Sequence, residues 1–85
     1  MNGHNVQCDR LEMRGNELLE QAREANEPEL ERYAVDTLSR VDRVRSGEMS
    51  VPVSRIYGAF RAIEKAISGE RQIGPWEQRV YFMDN

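Results

Sequence analysis

CDRLEMRGNELLEQAREANEPELERYAVDTLSRVDRV, residues 8–44, is the stretch on which the fold turns. Cys8, Leu11, Gly15, Leu18, Ala22 and Ala25 recur at alternating spacings of three and four, the stripe of one amphipathic helix. Leu30, Ala34, Thr37, Val41 and Val44 repeat that spacing, with Leu19, Tyr33 and Leu38 flanking the stripes. Pro28 lies between the two. Inside a helix it would remove a hydrogen bond and clash with the preceding turn. At a first helical position its missing N–H costs nothing. The first helix is therefore expected over residues 9–26, with Asp9 near its cap, and the second over 28–46 with Asn26 able to cap it. So short a connection makes the helices antiparallel neighbours.

The seam between them is small-sided: Gly15, Ala22, Ala25 and Ala34 allow close approach but bury little apolar area. Leu18, Leu19, Tyr33 and Leu38 need another layer. The third helix supplies one. Gly47 reads as the residue that ends helix two, and Pro52 as the first position of a helix over 52–68. Val53, Ile56, Tyr57, Phe60, Ile63 and Ile67 form its apolar face, widened by Ala59, Ala62 and Ala66, and Gly69 stops it. Gly74-Pro75 marks a turn, after which residues 75–82 read as a short helix, with the run Val80-Tyr81-Phe82-Met83 readable instead as a short strand. The expected class is all-α: an antiparallel hairpin, a third core helix and a short C-terminal docking segment, with 1–7 a flexible lead-in to a single domain over 8–85.

Eighty-five residues, 39% hydrophobic and 32% charged, suit one small helical domain. The net charge of −3 has the wrong sign for general nucleic-acid affinity. Lys65 is the only lysine among 12 basic residues, a bias that GC-rich coding in a bacterium or its phage explains. A single cysteine, Cys8, cannot form an internal disulfide and fits a reducing compartment. No apolar run suits a signal peptide or a membrane span. The expected setting is the cytoplasm.

Motifs with chemical content are few. His4 lies one turn before Cys8, but a structural zinc takes four ligands and no further His or Cys exists. Nucleophilic catalysis needs a base beside Ser or Cys, and there is no glycine-rich phosphate loop. Neither catalytic residues, nor a metal, nor a cofactor are expected, and no enzyme.

Two surfaces remain as candidates. Antiparallel pairing brings Arg10 and Arg14 toward Arg40, Arg43 and Arg45 at the open end of the hairpin, a candidate anion site diluted by Asp9, Glu12, Asp36 and Asp42. At the other end of the chain, Trp76, Val80, Tyr81, Phe82 and Met83 are residue types that anchor interfaces. Size and composition suit a small protein-binding module, such as an inhibitor or adaptor encoded by a phage or mobile element. Self-association into a homodimer or higher oligomer through the C-terminal run is expected. A DNA-binding regulator built on helices two and three, with Arg55 and Arg61 outward, is one alternative, although the turn at Pro52 is long for that motif. A phosphate or nucleotide binder using the arginine-rich end is the other.

Overall fold

The structure, a computed structural model, describes residues 3–82, and side chains over 6–82. It consists of α1 (Gly3–Glu24), α2 (Pro28–Ser46), α3 (Val53–Ser68) and a short α4 (Pro75–Glu77), which runs directly into a π-helical turn, Gln78–Phe82. There is no strand among the described residues. The helical alternative for residues 75–82 therefore holds. α1 and α2 form the hairpin and α3 packs against both.

Several boundaries differ from those read in the sequence. α1 starts at Gly3 instead of near residue 9. Once a helix is nucleated, each added residue costs little. At the hairpin, Asn26 serves α1 and not α2. Its φ of 56° is left-handed, and Asn26 N–H and Glu27 N–H donate to Arg23 O and Ala22 O at 3.1 and 3.0 Å. Those are the bonds that close a helix C-terminus. Glu27 is left as the cap of α2 without a side-chain hydrogen bond, and Pro28 opens the helix. Ala25, expected in the seam, consequently turns outward. Pro52 lies just before α3 and not inside it. Gly47 and Gly69 end their helices at φ 86° and 81°, as their positions suggested.

Leu11, Leu18, Ala22, Ala34, Val41 and Ile63 are completely buried where the three long helices meet. Thr37 is equally buried, and its hydroxyl donates to Tyr33 O at 2.8 Å. Close approach is real at Gly15: an added Cβ would lie 2.5 Å from Leu38 Cδ2 and 2.8 Å from Phe60 Cζ. Phe82 closes the core from the C-terminal side, its ring stacked on Tyr33 with centroids 4.4 Å apart. The radius of gyration, 12.4 Å, is close to the value of about 12 Å for a compact chain of this length. The small-sided seam is thus completed within one chain. Among the described residues, no helix is long and apolar enough to cross a membrane.

Candidate binding cleft

One wall of a cleft beside the C-terminal segment comes from α3. Ser54, Tyr57, Gly58, Arg61, Ala62 and Lys65 follow the three-and-four spacing of a single helical face. The other wall comes from the chain after α3: Arg71, Trp76, Glu77 and Tyr81. The space between them is about 410 Å3. A shallower concavity of about 350 Å3, lined by Arg10, Arg14, Phe60 and Glu64, adjoins it and shares Tyr57 and Arg61.

The tail wall is fixed by several local contacts. Gly58 admits the Tyr81 ring: a Cβ there would sit 2.7 Å from both Tyr81 Cε1 and its hydroxyl. Arg40 donates to the Tyr81 carbonyl. Glu77, 7% exposed, accepts from Arg71 and from Gly74 N–H, which satisfies a buried carboxylate that would otherwise be costly. Pro75 sets the first turn. Trp76 is held between these anchors yet is 61% exposed, touching Tyr81 only edge to face with centroids 6.2 Å apart. Tyr57, read from the sequence as part of the apolar face of helix three, is 45% exposed at the mouth. It lies at the edge of the α3 stripe, and Gly58 beside it takes the docking contact.

Charge in the cleft is unevenly compensated. Arg14 is engaged by Glu17 at 3.3 Å and Glu64 at 2.5 Å. Arg71 is held by Glu77. Arg61 and Lys65, one turn apart on α3, make no ion pair among the described residues. Two cations and two ring faces thus border an open concavity.

The arginines expected to gather at the hairpin's open end are divided. Arg45 is surrounded by Asp9 at 2.8 Å, Glu12 at 2.9 Å and Asp42 at 3.8 Å. The Glu12 hydrogen bond, against a smaller opposing effect of burial, pushes the guanidinium pKa further up. Arg40 reaches the tail, Arg10 and Arg14 face the α3 concavity, and Arg43 is exposed. These side chains do not converge on one anion position, because the neighbouring carboxylates and the tail claim them separately. The C-terminal run divides as well. Trp76 is outward, Val80 and Tyr81 are half-buried, and Phe82 is buried in the chain's own core, leaving it no surface for a partner. Met83 lies outside the described residues.

Cys8 is 1% exposed, which shields its thiol from chemistry at the surface. Among the described residues no group of three or more His, Cys, Asp or Glu is placed to hold a metal ion. The His4 side chain lies outside those described. No protein-family model matches the chain, and no curated protein or solved structure matches it.

Proposed function

We propose that this protein is a non-enzymatic binding module that presents the α3–tail face to a protein partner, acting as an inhibitor or adaptor in a bacterial cytoplasm, with a phage or mobile element as its source. The observation that carries the reading is Trp76. A large aromatic side chain is 61% exposed on a segment that is anchored at Glu77, Tyr81 and Phe82. Tryptophan, tyrosine and arginine are the residues that most often dominate interface energies, and Tyr57 and Arg61 stand across the cleft. Pre-positioned rings also lose little freedom on binding.

A DNA-reading role for α3 is less favoured by this arrangement. A recognition helix must protrude into the major groove, whereas the tail lies across the α3 face that carries Gly58 and Ala62. Self-association remains part of the proposal, resting on Trp76 and Val80, since Phe82 is committed to the core.

The test is capture from bacterial lysate by tagged wild-type protein and by Trp76→Ala, with circular dichroism confirming equal helix content. Loss of a hot-spot ring is expected to weaken binding by about 2 kcal/mol, roughly 30-fold, so the partner band should vanish. A partner retained equally by both proteins would overturn the assignment of this face.

A further inference from the structure

We propose that the cleft between α3 and the C-terminal segment receives an acidic peptide segment of the protein partner, with an apolar side chain seated between Tyr57 and Trp76. This rests on the protein-binding reading and specifies the chemistry of that same face.

Charge segregation is the first ground. The whole chain carries −3, yet the two adjoining concavities are lined by Arg10, Arg14, Arg61, Lys65 and Arg71 against only Glu64 and Glu77. The surplus is positive where the molecule is otherwise negative. Arg61 and Lys65 remain uncompensated among the described residues, and carboxylates of a partner would complete them with charge-assisted hydrogen bonds.

Dimensions are the second ground. From Ser54 to Lys65 the α3 wall rises about 16 Å at 1.5 Å per residue. An extended peptide covers that length in about five residues. A segment of that size can place acids against Arg61 and Lys65 and one apolar side chain against the rings. Trp76 meets Tyr81 only at an edge, so ring surface is available to it.

A polynucleotide fits this face less well. Arg14 and Arg71 are already bound by the protein's own carboxylates. With three uncompensated cations among the described residues, Arg10, Arg61 and Lys65, phosphate neutralisation would release only about three counterions. The net negative charge of the chain opposes a polyanion at longer range. A short segment with a few acids and an apolar anchor avoids most of that repulsion.

The experiment titrates the full-length, nitrogen-15-labelled protein with the peptide acetyl-DELDE-amide, its neutral counterpart acetyl-NQLNQ-amide, and a short oligothymidylate. The acidic peptide is expected to move the Trp76 indole signal and the amides of Arg61 and Lys65. The double variant Arg61→Glu, Lys65→Glu should weaken that response by about tenfold or more, and raising salt from about 50 to about 300 mM should also reduce it. The neutral peptide should leave those signals unmoved. If the double variant disturbs the α1 amides, Arg61→Gln, Lys65→Gln serves in its place. An acidic peptide without effect at millimolar concentration would overturn the proposal. So would a response unchanged by either pair of substitutions, or one matched by the neutral peptide. Binding of the oligothymidylate alone would overturn it in favour of a phosphate ligand. A partner captured from lysate through Trp76 while the acidic peptide stays inert would remove the acidic-segment assignment and leave the binding-module reading standing.

Discussion

Gly15 and Gly58 are both close-approach positions, but they differ in what a methyl group would displace. At Gly15 it would meet Leu38 and Phe60, which are packed between helices. Overpacking of this kind costs about 1–3 kcal/mol, partly offset by the roughly 1 kcal/mol that alanine gains over glycine in a helix. Gly15→Ala is expected to lower stability by about 1 kcal/mol in urea denaturation; an increase would show that the seam can relax. At Gly58 the obstacle is the half-buried Tyr81 ring, which can swing away, so that substitution should disturb the cleft more than the fold. Tyr33 offers a pH readout. Burial, then the hydrogen bond to Glu29 at 3.0 Å and its charge, raises the phenol pKa above 10.0. The folded state therefore holds this proton more tightly than the unfolded state. Its stabilising contribution is complete below the unfolded pKa of about 10 and is lost as pH rises through the folded value. Urea midpoints should fall more steeply above about pH 10 in wild type than in Tyr33→Phe. Parallel curves would assign the alkaline loss to other groups.

At the level of elements, the hairpin was legible because its two stripes share one spacing and Pro28 permits only one break. The third helix was legible for the same reason, and Gly47 and Gly69 marked the ends of α2 and α3. The role of Asn26 was not legible, since the same residue suits a helix N-cap or a left-handed C-terminal turn, and only the Ala22 and Arg23 carbonyls decide between them. Of the cleft, only the outward placement of Arg61 was legible, and Tyr57 read as part of the apolar face. Tyr57, Arg61 and Lys65 lie one turn apart in the sequence, but the tail that forms the opposite wall is placed by a tertiary contact, Tyr81 on Gly58, which no local pattern encodes. The five arginines of the open end do not converge, because Asp9, Glu12 and Asp42 engage Arg45 and the tail engages Arg40, contacts that the stripe spacing does not encode. The tail's two aromatic ends should behave differently. Phe82→Ala empties a stacked, buried position and is expected to cost about 3 kcal/mol. Trp76→Ala should change stability by less than about 1 kcal/mol. Equal losses in thermal or urea denaturation would mean that Trp76 is part of the core.

For the molecule as a whole, one chain supplies the layer its small-sided seam requires, through α3 and Phe82, so folding does not demand a second copy. Association, where it occurs, should leave the helices intact and depend on Trp76. Sedimentation equilibrium at tens of micromolar protein is expected to give a mass above 9.9 kDa for wild type and a lower one for Trp76→Ala. A wild-type mass of 9.9 kDa would refute self-association and leave the face to a foreign partner. The proposal that a partner covers this face is tested on the chain's single tryptophan. Acrylamide quenching of Trp76 should be nearly as efficient in the dilute free protein as in an unfolded peptide, and should drop at least about twofold when the captured partner excludes water from the interface. A tryptophan already shielded in the dilute free chain, or one equally quenched with the partner bound, would contradict it.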